Sequence, residues 1–193
     1  MTTASATALD SQLPHFDAST VQRAVVFATP QATYDAIWSV DLLHAPLART
    51  PRRAAIALER AAARFCGTTP PQPVPRSAHL RDMLGDERPL LLLNDASGHE
   101  VVLGLLWTPP AGVHRCAPEQ FADFQAPGLA KVVWSLSVYP FGAGHALLVA
   151  ETRSQTTNAV AARRFRLLWT LISPFAALLR SQVLQAIKTQ AEA

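Results

Sequence analysis

Cysteine and the usual metal-ligand patterns are scarce in this sequence. The two cysteines, Cys66 and Cys116, lie far apart, and neither belongs to a CxxC pair. The six histidines are scattered, with no spacing typical of a zinc site. The pattern does not indicate a disulfide, and it fits a reduced compartment. We therefore expect neither a metal nor another cofactor.

Charge is also scarce. Charged residues make up 16% of the chain, and the net charge of +3 comes from scattered arginines. Nucleic-acid-binding proteins usually gather basic residues on one face and interleave them with aromatics. The densest basic groups here, Arg52-Arg53 and Arg163-Arg164-Arg166, are better explained as solvated helix faces. We expect no nucleic-acid partner.

The N-terminal stretch lacks the basic start and apolar core of a secretory signal. Residues 1–19 are rich in Thr, Ala and Ser and predict a flexible leader, whereas residues 20–193 predict a single domain. Hydrophobic residues make up 49% of the chain, which is enough for a sizeable core. These features favour a cytoplasmic protein of unknown oligomeric state.

Sequence signatures of catalysis are missing as well. The chain has no nucleophile elbow, no Gly-rich phosphate loop and no paired acid/base carboxylates. Asp41 and His44 can meet on one helical turn, but such a pair commonly does no more than support a helix. A hairpin turn accounts fully for Gly142 and Gly144.

Secondary-structure signals, in contrast, are plentiful. A β-branched strand over 21–28 precedes a helix with Thr29 as N-cap and Pro30 in its first turn. Residues 41–65 predict two helical pieces, and the proline-rich stretch 66–77 predicts a loop. Further strands are predicted over 89–95, 99–107, 129–140 and 145–153, with a long connection over 108–128.

The strand predicted over 129–140 alternates clearly between two kinds of side chain. One face carries Val132, Trp134, Leu136 and Val138, and the other carries Lys131, Ser135 and Ser137. This alternation is typical of a strand with one buried face.

A long amphipathic helix is predicted from about Asn158 to Lys188. Its wide apolar stripe contains Phe165, Leu168, Trp169, Ile172, Phe175, Ala176, Leu179 and Val183. A narrower polar stripe contains Arg166, Thr170, Ser173 and Arg180. The apolar run is shorter than the roughly 20 residues of a membrane span. Packing on the protein's own sheet is favoured, and a position in a membrane interface stays an alternative.

Several stretches together resemble the SRPBCC superfamily, the START-like helix-grip fold of polyketide cyclases and lipid-transfer domains. They are "FATPQATYDAIW", "VDLLHAPLAR", "EVVLGLLWTP", "EQFADFQAPGLAKVVWSLSVYP" and "ETRSQTTNAVAARRFRLLWTLISPFAALLRSQVLQAIK". The chain departs from the family pattern at Tyr34-Asp35 and at Asn158-Ala159, where Asp-Pro usually opens the helix. The resemblance implies an α+β helix-grip fold, in which a curved antiparallel sheet wraps around the C-terminal helix and two short helices follow the first strand.

In such a fold a bent sheet and a straight helix cannot be complementary everywhere, so an apolar cavity can remain between them. The expected ligand-binding residues are Leu105, Trp107, Trp134, Leu136, Glu151, Arg153, Phe165, Trp169 and Ile172. The apolar members can equally well fill the core. Glu151 has three interpretations: an ion pair with an arginine on a neighbouring strand or on the helix, exposure to solvent, or a base whose pKa is raised by burial.

Three functions remain open at this stage. The favoured one is binding of a hydrophobic small molecule or lipid in the cavity, without catalysis and without stable membrane insertion. The second is a cyclase/dehydratase-like enzyme acting on a small aromatic or polyketide substrate, positioned by Glu151, Arg153, Tyr139 or His145. The third is a peripheral membrane or partner-binding protein that uses the C-terminal helix.

Overall fold

The computed structural model describes residues 8–42, 79–85, 88, 90–108 and 112–193, except for the side chains of 159–161, 164 and 166–175. The two helical pieces predicted over 41–65 and the loop predicted over 66–77 therefore lie almost entirely outside the described residues. The helices within these ranges are α1 (Ala8–Gln12), α2 (Pro30–Ser39) and α3 (Ala159–Ala191), with single 3₁₀ turns at Leu80–Met83 and Pro118–Gln120.

Six antiparallel strands form one curved sheet. They are β1 (Ala18–Val26), β2 (Leu91–Ala96), β3 (Glu100–Thr108), β4 (Gly112–His114), β5 (Ala130–Phe141) and β6 (His145–Thr156). Their order is β1-β6-β5-β3-β2, and β4 pairs with the end of β3 beyond β2. The described chain therefore has the α+β helix-grip fold, in which a curved antiparallel sheet packs against the C-terminal helix.

Local signals explain where the elements begin. The Thr29 side chain accepts a hydrogen bond from the backbone N–H of Ala32 at 3.2 Å, and Pro30 opens α2, as the sequence predicts. Gly98 turns the β2–β3 hairpin with a φ of 86°, and Gly142 and Gly144 turn the β5–β6 hairpin with positive φ. The predicted hairpins are therefore confirmed.

The two faces of the sheet support separate apolar clusters. The main core lies on the inner face, which we define as the face covered by α2 and α3. It includes Val101, Leu103, Leu136, Leu148, Leu184 and Ile187. The outer cluster lies on the opposite, outer face, beneath α1, and contains Leu9, Leu13, Val102, Leu106, Phe121, Leu129 and Val133. Period-2 alternation along β3 and β5 sends neighbouring residues to the two clusters.

The described part of the N-terminal stretch is not an unstructured leader. Residues 8–12 form α1, and β1 begins at Ala18. Leu9 and Leu13 are 1% and 2% exposed, since both pack into the outer cluster. The composition of residues 1–19 hides this role, because two leucines four residues apart are a weak helix signal.

The C-terminal helix α3 closes the inner face and also covers the free edge of β1. The Lys188 ammonium donates to the backbone carbonyl of Val25 at 2.6 Å, and the backbone N–H of Phe27 donates to Glu192 at 2.7 Å. The Lys188 hydrogen bond and the Phe27 N–H lower the pKa of the exposed Glu192 carboxyl. Within the described residues, no helix combines the length and apolar character that a membrane span requires.

Candidate functional site

The candidate site lies on the inner face, near the first half of α3. A tryptophan cluster forms there around the buried residues Ala130, Val132 and Phe165, with partly buried Leu105, Trp107 and Trp134 packed against them. The Trp107 and Phe165 rings meet edge to face, with centroids 6.5 Å apart. Five of the nine predicted ligand-binding residues lie on this face: Leu105, Trp107, Trp134, Leu136 and Phe165.

Trp134 joins the tryptophan cluster to the main core, since its side chain packs against both. Its neighbours on the same face of β5 explain this position, because Val132 belongs to the tryptophan cluster and Leu136 belongs to the main core. Trp169 and Ile172 belong to α3 by their backbone, but their side chains lie outside the described residues. Their contact with a ligand stays a prediction.

Glu151 and Arg153 lie on the outer face, away from the other predicted residues. Alternation along β6 sends Ala150 into the main core, so Glu151 and Arg153 project from the opposite side of the strand. The sequence correctly indicates that the two share a face. Of the three interpretations of Glu151, the ion pair is the one found, although its partner lies on the same strand instead of on a neighbouring strand or the helix. Their proposed place in the cavity is wrong, because the alternation alone does not say which face the long helix covers.

Arg153 instead attaches the N-terminal segment to the sheet. Its guanidinium donates to Glu151 and to Asp10 at 2.7 Å each, and it lies 4.7 Å from the centroid of the Phe16 ring. Burial alone lowers the pKa of Arg153, but the hydrogen bonds to the two carboxylates outweigh it and raise that pKa. This arrangement is a structural clamp rather than a binding site.

The four residues considered for a cyclase-like reaction are not gathered at one place. Tyr139, His145, Glu151 and Arg153 occupy odd-numbered positions of β5 and β6, which belong to the outer face. Glu151 lies six positions after His145 along an extended strand, a distance of roughly 20 Å. Tyr139 is 45% exposed near the β5–β6 turn. These four side chains therefore do not form one catalytic site.

A second signal on the inner face is a group of buried polar atoms that find no hydrogen-bond partner among the described residues. On this face they are Thr152 Oγ1, Gln22 Oε1 and Arg180 Nε, and a fourth such atom, His145 Nδ1, belongs to an outer-face position of β6. Thr152 is 3% exposed and lies beside Trp134 in the β5–β6 pairing. Buried polar groups usually have partners, so unpartnered ones suggest a missing guest or water.

The position of Arg180 differs from the sequence prediction. The stripe pattern turns Leu179 toward the sheet and Arg180 toward solvent, but Leu179 is 57% exposed and Arg180 is partly buried. Arg180 lies one turn before Leu184, which is 5% exposed in the main core. The apolar stripe is wide enough for several rotations, and the contacts of α3 with α2 and β1 select this one.

A further polar contact among the described residues belongs to the fold. The Tyr34 hydroxyl donates to Asp95, joining α2 to β2, and burial followed by this hydrogen bond raises the pKa of Tyr34. No group of three or more His, Cys, Asp or Glu in the described ranges is arranged to hold a metal ion.

Comparison with known proteins gives similarity to solved structures alone. No protein-family model and no curated protein matches the chain. A conserved protein from Geobacillus kaustophilus is 12% identical over 90% of this chain and 95% of its own, with a TM-score of 0.37. A Thalictrum flavum norcoclaurine synthase, a point mutant in complex with a transition-state analogue, is 10% identical over 90% and 93%, with a TM-score of 0.39. The ZhuI aromatase/cyclase from Streptomyces sp. R1128 is 10% identical over 91% and 93%, with a TM-score of 0.35. These values assign no activity to this chain.

Proposed function

We propose that this protein binds a hydrophobic small molecule or lipid between the inner face of its sheet and α3, as a cytoplasmic binding protein without catalysis. The tryptophan cluster carries the proposal. Leu105, Trp107 and Trp134 stay partly exposed, although Phe165 of α3 packs against the same group and is itself 7% exposed. Large apolar side chains that remain accessible beside a covering helix offer contact area to an apolar guest.

The shape of the fold supports the same function. A curved sheet touches a straight helix along part of its length, and the gap elsewhere is closed by side chains or by a ligand. The C-terminal half of α3 is held tightly, because Leu184 and Ile187 are buried in the main core. The tryptophan cluster lies toward the other half of the helix, where Phe165 is the buried anchor.

Native mass spectrometry of the full chain, incubated with a panel of fatty acids, sterols and aromatic polyketides, tests this function. We expect at least one stoichiometric complex, whose formation quenches or shifts tryptophan fluorescence. Trp107→Ala and Trp134→Ala should each weaken binding by roughly 10-fold or more, because each removes a large apolar contact surface.

Trp38→Ala is the matched control for these two variants. Trp38 is partly buried on α2 beside Arg81, whose guanidinium carbon lies 5.2 Å from the ring centroid, and it belongs to the main core. It should alter stability more than affinity. Absence of any complex, together with a crystal structure whose interior is filled between α3 and the sheet, would show that the tryptophans only complete the core.

The cyclase/dehydratase-like alternative has less support from the described residues. The four side chains named for it lie on the outer face, and Arg153 and Glu151 are engaged with each other. The binding role requires no reacting group, and it uses the apolar surface that is present. Binding is therefore the function proposed for this protein.

A further inference from the structure

We propose that the ligand carries a carboxylate, and that Arg180 and Thr152 hold this group between α3 and the inner face. The expected guest is thus an apolar organic acid rather than a neutral hydrocarbon or sterol. This inference rests on the proposed function, because it assigns the polar end of the same site.

The first step is the position of Arg180 on the helix. The Gln22 side-chain amide donates to the backbone carbonyl of Ala177 at 3.3 Å and to the Ser181 hydroxyl at 3.4 Å. These two contacts bracket Arg180 along α3 and fix its helical turn against β1. Arg180 also shares the inward face of Leu184, four residues later.

The second step is the direction of the Arg180 side chain. Side chains of an α-helix lean toward its N-terminus. The helix and β1 run in the same direction, because Ala177 lies at Gln22 and Lys188 lies at Val25. Arg180 therefore leans from the level of Gln22 toward that of Thr20. In the sheet, Thr20 pairs with Thr152, and Thr152 pairs with Trp134 on its other side.

The third step concerns what these groups lack. Arg180 Nε and Thr152 Oγ1 are buried without a hydrogen-bond partner in the described part of the chain. The carboxylates of the sheet are engaged elsewhere: Asp95 accepts from Tyr34, Glu100 from Ser137, and Glu151 from Arg153. Burial without a compensating anion lowers the pKa of Arg180.

The chemistry of the missing partner follows from the donors. A guanidinium and a hydroxyl both donate, and a planar carboxylate accepts from both at once. The acceptor Gln22 Oε1 is buried without a partner nearby on β1, so a hydroxyl on the acid would add a further hydrogen bond there. Trp134 and Trp107 supply the apolar surface for the rest of the ligand.

Matched pairs of probes test the proposal by calorimetry on the full chain after removal of bound lipid. Decanoate is compared with decanamide, and 2-naphthoate with 2-naphthamide. Within each pair the shape is nearly constant and the charge changes. We expect the wild type to bind at least one acid about 10- to 100-fold more tightly than its amide.

Arg180→Met should remove this preference, lowering affinity for the acid by about 10- to 100-fold while changing affinity for the amide by less than about 3-fold. Thr152→Val, which is nearly isosteric, should weaken binding of the acid by about 3- to 10-fold. Arg163→Met is the matched control, because Arg163 is an exposed arginine of the same helix. It should leave both affinities unchanged.

Equal binding of acid and amide by the wild type, or an acid preference that survives in both Arg180→Met and Thr152→Val, would overturn the carboxylate assignment and leave the proposed cavity intact. Failure of both pairs and of the wider panel would remove the cavity as well. Thr152→Val keeps the test valid if Arg180→Met does not fold.

Discussion

The two faces of the sheet treat buried charge in opposite ways. On the outer face, Arg153 donates to two carboxylates, and the buried Lys131 donates to the backbone carbonyl of Ala122. On the inner face, Arg180 Nε and Thr152 Oγ1 are buried without a partner among the described residues. The cations Arg153 and Lys131 on the outer face thus find acceptors within the described chain, whereas the acceptor missing for Arg180 is the one that we assign to a ligand.

The prediction with the largest expected change in stability tests whether α1 is part of the outer cluster. Leu9 is 1% exposed, so Leu9→Ala should lower the free energy of unfolding by about 2–4 kcal/mol through lost burial and a residual cavity. Urea denaturation measures this change. Leu178→Ala is the control, since Leu178 is 45% exposed on α3 and should cost less than about 0.5 kcal/mol. Equal effects of the two variants would mean that α1 contributes nothing to the core.

The next effect probes the paired arginine. Arg153→Met removes the ion pairs with Glu151 and Asp10 and the contact with Phe16. We expect a loss of about 2–3 kcal/mol in urea denaturation, less than for a fully buried pair, because the Asp10 side chain is 42% exposed. A loss below about 0.5 kcal/mol would contradict the clamp, since that is typical of an exposed ion pair.

Replacing the inner-face arginine by methionine should change the free energy of unfolding in the opposite direction. Arg180→Met removes a partly buried cation without a described partner and adds apolar surface near Leu184. In the ligand-free protein we expect the free energy of unfolding to rise by about 1 kcal/mol. A clear loss of stability would show that Arg180 stabilises the fold. The arginines of the two faces would then have the same role.

The smallest effect concerns pH and the buried Lys131. Burial lowers the pKa of Lys131 in the folded protein below its value in the unfolded chain. Between these two values the unfolded state binds more protons, so the free energy of unfolding rises with pH, by at most about 1.4 kcal/mol per pH unit. Lys131→Met should abolish this alkaline rise, as measured by urea denaturation at increasing pH.

Cys116 must be removed first for a clean measurement of Lys131. Burial raises the pKa of the Cys116 thiol, so the unfolded chain loses that proton at lower pH and stability falls as the pH rises. Both proteins are therefore compared in a Cys116→Ala background. A pH profile that is the same with and without Lys131 would mean that this ammonium is solvated in the folded state.

The sequence predicts strand faces well because alternation has a fixed period. Val132, Trp134, Leu136 and Val138 face inward together, as their spacing indicates. The same spacing suggests solvent for Lys131 and Ser135, which are 1% and 3% exposed. Lys131 and Ser135 are covered by α1 and by the loop that carries Phe121. These contacts join distant parts of the chain, so the local sequence pattern cannot predict them.

The sequence locates the apolar residues of the candidate site better than its polar ones. Trp107, Trp134 and Phe165 were expected between sheet and helix from the helix-grip resemblance, and they do pack together there, while their contact with a ligand stays a prediction. Glu151 and Arg153 were assigned to the wrong face, because alternation groups residues without naming the side on which α3 packs. Arg180 and Thr152, which we propose for the polar end, were not among the expected residues, since the inward position of the arginine depends on the rotation of α3. A threonine within an alternating strand also gives no local signal.

The C-terminal end of α3 helps to protect the protein from aggregation. An outermost strand with free main-chain groups is a template onto which another polypeptide can add, and this is a common route to aggregation. Lys188 in the last turn binds the carbonyl of Val25 in β1, and Glu192 just after the helix accepts from the N–H of Phe27 just after the strand. Removal of these last residues would expose both main-chain groups to solvent, and the truncated protein would have an unprotected edge strand at β1.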